Sequence, residues 1–139
     1  MGIEDRYRAY AAAFEESFDD DDWSRIEPYF TADAVYEGDP EARGREAVIA
    51  KLKGGLDGFD RKMDSRALEM QTPTVEGNTL KVAWTVRYRK AGAADLAISG
   101  VETAVFDGDR IKCLRDDFHA DAEKAMGEWM AAHGAKLQG

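Results

Sequence analysis

Phe106-Asp107-Gly108-Asp109-Arg110-Ile111-Lys112-Cys113-Leu114-Arg115-Asp116-Asp117-Phe118 reads as a strand end, a tight turn and a second strand. The second strand closes on two adjacent carboxylates followed by a phenylalanine. Aspartate is depleted from strands, so its presence there calls for a partner or a function. Side chains alternate across a strand, and Asp116 and Asp117 therefore point to opposite faces. One of the two acids is expected to face the inside of the fold.

Working outward, the strand candidates before this hairpin are Ser65 to Val75, bent near Pro73, then Thr79 to Arg89, then Leu96 to Phe106. Glu76-Gly77-Asn78 turns the chain between the first two. In Thr79 to Arg89, Leu80, Val82, Trp84, Val86 and Tyr88 alternate with Lys81, Ala83, Thr85, Arg87 and Arg89. The apolar set is expected to lie against helices. Those helices come mostly first. Ile3, Tyr7, Tyr10, Phe14 and Phe18 form one stripe at helical spacing. Asp19-Asp20-Asp21-Asp22 ends that helix and caps a short second one carrying Trp23, Ile26 and Phe30. The run has neither the ligand spacing nor the glycine turn of a calcium loop. Thr31 to Arg43 reads as irregular, with a short extended piece at Val35-Tyr36-Glu37 and a turn at Gly38-Asp39-Pro40. Helical spacing returns from Gly44 to Leu56 and again from Asp121 to Lys136, where Met126, Trp129, Met130 and His133 share one side. Three helices, a meander of antiparallel strands and a terminal helix predict an α+β fold, with helices covering one face of a curved sheet.

At 139 residues the chain fits a single domain spanning 1–139, and its 44% hydrophobic content supplies a core without disulfides or structural metal. A net charge of -9 argues against nucleic acid and anionic membranes as partners. No apolar run reaches membrane-spanning length and no signal-peptide core is visible, so the expected location is cytoplasmic. Cys113, the single cysteine, excludes an internal disulfide and reads as a small packed residue rather than a nucleophile. No nucleotide fingerprint or metal constellation is present, which predicts no cofactor and no metal.

The chemistry depends on the hairpin register. A three-residue loop, Asp107-Gly108-Asp109, pairs Phe106 with Arg110 and puts Gly100 opposite Asp116. Glu102 and Asp116 are then diagonal neighbours on one face, roughly 7–8 Å apart at the backbone. A two-residue loop shifts the register by one and separates the acids. Both faces of these strands are mixed, so hydrophobicity leaves the two registers open. Two carboxylates on one buried face repel, and burial raises at least one pKa, which yields an acid and a base from similar groups. The plainer alternative is an Asp116 paired with Arg115, Arg87 or a backbone amide.

The chain resembles the NTF2-like superfamily, in particular its SnoaL-like branch of polyketide cyclases, limonene epoxide hydrolases and ketosteroid isomerases. The resemblance rests on Trp23-Ser24-Arg25-Ile26-Glu27-Pro28-Tyr29-Phe30-Thr31-Ala32-Asp33-Ala34-Val35-Tyr36, on Gly44-Arg45-Glu46-Ala47-Val48, and on the segments Asp107 to Ile111 and Leu114 to Phe118. It implies a cone-shaped α+β fold with helices on the concave face of a strongly curved antiparallel sheet. It also implies a pocket there and a homodimer formed through the sheets. The Arg-Asp-x-Phe motif of the epoxide-hydrolase-like branch falls on Arg115-Asp116-Asp117-Phe118, which assigns the catalytic carboxylate to Asp116. Asp117 stands where that motif has an aromatic residue, and no matching Arg-x-Asp is visible near Arg87 and Arg89. In the steroid isomerases the base lies in the loop around Asp39, and a second acid lies on the strand carrying Glu102. Their oxyanion-hole tyrosine aligns with Phe14, one turn from Tyr10. Dehydratase chemistry of the scytalone type requires inward histidines, and His119 and His133 lie outside the expected pocket.

The expected site therefore has Asp116 as base with Glu102, Tyr36 and Asp39 as catalytic partners. Its expected ligand-binding wall is Tyr10, Phe14, Phe18, Trp23, Trp84, Tyr88 and Phe118. Aromatic walls with a few acids suit a small, uncharged, hydrophobic molecule. Cofactor-independent isomerisation, cyclisation or hydration is the leading function. A non-catalytic binding protein for such a ligand and a dimerisation module with a residual pocket are the alternatives. The tail helix is expected to pack on its own chain, or else to cover the pocket mouth or meet a partner.

Overall fold

The structure, a computed structural model, describes residues 2–38 and 40–137. Helix α1 (Ile3–Asp20) buries Tyr7 and Tyr10 of the stripe read from the sequence together with Ala13 and Ser17, which lie outside it, while Ile3, Phe14 and Phe18 are partly buried against the same core. It stops where Asp21 turns left-handed at φ 60° and returns its N–H to Ser17 O at 2.7 Å. Aspartate tolerates that conformation better than most residues. Asp22 then caps a 3-10 turn over Trp23–Tyr29 by accepting from Ser24 N, and Asp20 pairs with Arg25. The aspartate run is thus spent on capping and an ion pair.

The stretch expected to be irregular is largely strand. β1 (Phe30–Glu37) begins at Phe30, so this residue belongs to the sheet and not to the second helix that its spacing from Trp23 and Ile26 predicts. β2 (Ala42–Arg43) folds back on it, and α2 (Arg45–Gly58) follows. The strands β3 (Ser65–Met70), β4 (Thr74–Glu76), β5 (Thr79–Arg89), β6 (Leu96–Asp107) and β7 (Arg110–Phe118) complete a curved, open sheet. Pro73 falls in the break between β3 and β4, where a missing N–H costs no ladder hydrogen bond. The order is β2-β1-β7-β6-β5-β3, with β4 also paired to β5. The meander from β3 to β7 is antiparallel, but β1 runs parallel to β7, a pairing that local sequence patterns do not announce. Helix α3 (Ala120–His133) follows, and a 3-10 turn over Gly134–Leu137 buries Leu137.

The hairpin resolves the register in a way neither alternative anticipated. The loop has two residues, with Asp107 opposite Arg110 and Gly108 at φ +63°. A bulge then intervenes: Phe106 pairs with Ile111 but Val105 pairs with Cys113, leaving Lys112 unopposed. The extra residue undoes the parity change of the short loop, so Glu102 lies directly opposite Asp116 rather than diagonal to it. Gly100 faces Phe118, not Asp116.

Two apolar clusters hold the helices on the concave face. One joins Tyr7 and Tyr10 of α1, Ile26, Phe30 and Val48 to Leu80, Val82, Phe106, Ile111 and Leu114 of the sheet. Burying each large aliphatic or aromatic side chain of this kind stabilises the fold by about 1.5–3 kcal/mol. The other joins Ala122 and Trp129 of α3 to Val86, Tyr88, Leu96 and Ile98. Trp129 is also tied by its indole N–H to Ala94 O at 2.7 Å. Cys113 is half-buried and donates to Glu37 at 2.7 Å; burial first, then that carboxylate, push its thiol up to about 11. It stays a protonated thiol at neutral pH.

Candidate active site

Between these clusters lies a cavity of about 510 Å³ whose wall draws on α1, β1, α2, β3, β5, β6, β7 and α3. On β5 the even-numbered face from Val82 to Tyr88 points inward, as its alternation required, and Trp84 and Tyr88 join the wall. Tyr10, Phe14, Tyr36, Glu102, Asp116 and Phe118 also lie in it. Phe18 and Trp23 do not. Trp23 is buried against Phe14 behind the wall, with ring centroids 5.4 Å apart. Phe18 is covered by the Arg61 and Arg66 guanidinium groups. Asp39 lies outside the described residues. Met126 of α3 reaches the wall while Trp129 is buried in its own chain, so the helix both packs and borders the cavity.

The polar centre is a row of four residues. Tyr7 on α1 donates its hydroxyl to Glu102 Oε1, and Tyr36 on β1 donates to Asp116 Oδ2 at 2.7 Å. Glu102 and Asp116 are cross-strand partners between them. Burial, then the Asp116 charge, then a hydrogen bond between the carboxyls raise the pKa of Glu102 well above the ordinary carboxyl range; the Tyr7 hydrogen bond opposes this. Burial and the adjoining acids likewise raise the pKa of both tyrosines, keeping them as donors. Asp117 points outward and pairs with Arg115 at 2.8 Å, so the strand's alternation separates a cavity acid from a surface acid. The plainer expectation for Asp116, a pairing with Arg115, is met by Asp117 instead.

Tyr7 escaped selection as a site residue. It shares the helical stripe with Tyr10 and Phe14, but only the tertiary fold shows which hydroxyl meets a carboxylate. A second polar group was also missed. Arg66 on β3 binds Glu15 Oε1 at 2.6 Å and Asp60 Oδ2 at 2.7 Å, and Tyr88 donates to the same Asp60 oxygen at 3.0 Å. Burial opposes the Arg66 charge, but the Glu15 and Asp60 carboxylates outweigh it and raise its pKa. All four residues line the cavity. No local pattern links positions this far apart in the chain.

The raised pKa of Glu102 has a consequence for stability. The folded protein holds this proton where the unfolded chain, at the ordinary 4.5, has released it. Its stabilising contribution is therefore complete below 4.5 and declines as pH rises from there through the folded pKa. Glu102→Gln, neutral at every pH, should abolish that decline. Thermal unfolding midpoints of the two proteins between about pH 5 and pH 9 test this, and parallel profiles would count against a protonated Glu102.

The fold and this pocket define a class. The SnoaL-like domain model matches residues 8–114, and the chain belongs to that family. Its solved relatives share the fold at low identity. A protein from Shewanella denitrificans described as a SnoaL-like polyketide cyclase is 17% identical, with TM-score 0.66 over 95% of this chain and 99% of that one. An LEH-like epoxide hydrolase from M. tuberculosis is 18% identical, with TM-score 0.58 over 91% and 92% of the two chains. A protein of ketosteroid isomerase-like fold from Catenulispora acidiphila, in complex with trimethylamine, is 12% identical, with TM-score 0.64 over 86% and 91%. No curated protein matches the chain in sequence. Among the described residues, no helix is long and apolar enough to cross a membrane.

Proposed function

We propose that this protein is a cofactor-independent acid/base enzyme that moves a proton at a carbon next to a carbonyl in a small, mainly apolar molecule. The observation that carries the reading is the direct pairing of Glu102 with Asp116 in a cavity wall, each braced by a tyrosine hydroxyl. Asp116 takes the C–H proton, and the electron pair shifts towards the carbonyl oxygen. Glu102, kept protonated, donates a hydrogen bond to the charge that develops there. Return of the proton to the same carbon is exchange, and its return to another carbon is isomerisation. Where the carbanion instead attacks an internal carbonyl, the C–C bond forms, the C=O π pair moves to oxygen and Asp116 returns the proton to that oxygen, which is cyclisation. Every path regenerates both groups. The family includes cyclases and isomerases, which supports this reading; its epoxide hydrolases open C–O bonds with water and carry no weight here.

The test is deuterium incorporation beside the carbonyl of 4-(4-hydroxyphenyl)cyclohexanone in D2O, followed by NMR. Exchange well above buffer is expected. Tight binding without exchange would favour the non-catalytic reading. The homodimer implied by the resemblance belongs to the same proposal, and light scattering at micromolar concentration should give twice the 15.4 kDa chain mass; a monomer would remove it.

A further inference from the structure

The Glu15–Arg66–Asp60–Tyr88 group plays no part in the proton transfer, yet it occupies the wall of the same cavity. It sits far from the paired acids. Glu102 is opposite Val82 on β5, whereas Arg66 is opposite Tyr88, a separation of about 20 Å along the strand. On α1, Tyr7 and Glu15 are about 12 Å apart along the axis. The cavity thus has two polar ends with Phe14, Leu68, Trp84 and Val86 between them.

The far end is charged and incompletely satisfied. Two carboxylates face one guanidinium, a formal balance of -1; the Arg66 and Asp60 side chains are 9% and 11% exposed, whereas that of Glu15 is 38% exposed. Glu15 Oε1 is engaged by Arg66, but Glu15 Oε2 is buried with no partner among the described residues. A buried carboxylate oxygen without a donor is costly, and a carboxyl's terminal torsion is soft enough to turn towards one. Trp84 Nε1, in the middle of the wall, is a donor in the same unpartnered condition. Carboxylates at the far end of a ligand would meet a net negative group and are disfavoured.

We infer that this end is a specificity subsite, and that the ligand is an elongated apolar molecule with a hydrogen-bond donor, a hydroxyl, opposite its reacting carbonyl. Resting on the proposed function, this adds the substrate class: hydroxyl at the Glu15 end, carbonyl at the Glu102–Asp116 end. Isothermal titration with three probes tests it: 4-(4-hydroxyphenyl)cyclohexanone, 4-phenylcyclohexanone, and 4-(4-oxocyclohexyl)benzoic acid. The hydroxyl probe should bind roughly tenfold more tightly than the unsubstituted one, and the carboxylate most weakly. The preference should shrink to about twofold or less in Glu15→Ala and be reduced in Glu15→Gln, which keeps the side chain's size. Equal affinities, a carboxylate that binds best, a preference that survives both substitutions, or no binding of any probe would each overturn the inference. If the hydroxyl preference holds but the wild-type protein exchanges no deuterium, the subsite stands and only the catalytic reading falls.

Discussion

Asp116→Asn is expected to lower the rate of deuterium exchange by about 10²–10⁴-fold, the contribution typical of a positioned general base. Asparagine keeps the shape of the side chain and still accepts the Tyr36 hydrogen bond through its amide oxygen. It cannot take a proton. Ligand affinity should change little, because the aromatic wall and the Glu15 end are untouched. The substitution also removes the charge that, after burial, contributes most to the raised pKa of Glu102. The carboxyl carbon of Glu102, followed by NMR, should therefore titrate at lower pH in the variant. Full exchange activity in a folded Asp116→Asn protein would exclude Asp116 as the base.

Gly100→Ala is expected to destabilise the fold by about 1–3 kcal/mol, the usual cost of forcing atoms into a packed site. A Cβ at Gly100 would lie 2.6 Å from the Asp117 carbonyl oxygen, 2.9 Å from Trp84 Cζ2 and 3.2 Å from Phe118 Cα. The tightest of these is backbone and can yield only if β6 and β7 separate. Trp84 and Phe118 pack edge to face across this glycine, at 5.5 Å and 90°, so the strain falls on the cavity wall as well. A thermal midpoint several degrees lower and weaker binding of 4-phenylcyclohexanone are the expected results. Adding Trp84→Leu should recover little of the loss, because the backbone clash remains. An unchanged midpoint would mean that the strands accommodate the methyl group freely.

Local pattern carried far in this chain where one physical rule dominated. Strand β5 alternates without interruption, so its inward face was readable residue by residue, Trp84 and Tyr88 included. The α1 stripe was legible in part: Tyr7 and Tyr10 are buried as helical spacing required, but the buried face continues through Ala13 and Ser17 rather than Phe14 and Phe18. Reading failed where two rules competed. Val35-Tyr36-Glu37 reads as an isolated extended piece because Ala32, Asp33 and Ala34, which precede it in β1, are depleted from strands. Its place is set by parallel pairing with β7, a contact spanning most of the chain. Trp23 and Phe18, expected in the pocket wall, lie outside it: Trp23 packs against Phe14 and Phe18 is covered by Arg61 and Arg66.

The α+β class and the opposite facing of Asp116 and Asp117 follow from neighbours along the chain, because periodicity and alternation are local properties, and the family resemblance follows from the motifs at Trp23 to Tyr36 and Leu114 to Phe118. Which acid meets what is settled in three dimensions. A two-residue turn should have split Glu102 from Asp116, and the bulge at Lys112 restored them to one face as direct partners. Bulge placement, the docking of Tyr7 and Tyr36, and the Glu15–Arg66–Asp60 cluster all depend on packing between distant segments. Such packing is resolved only when the whole sheet closes around its core.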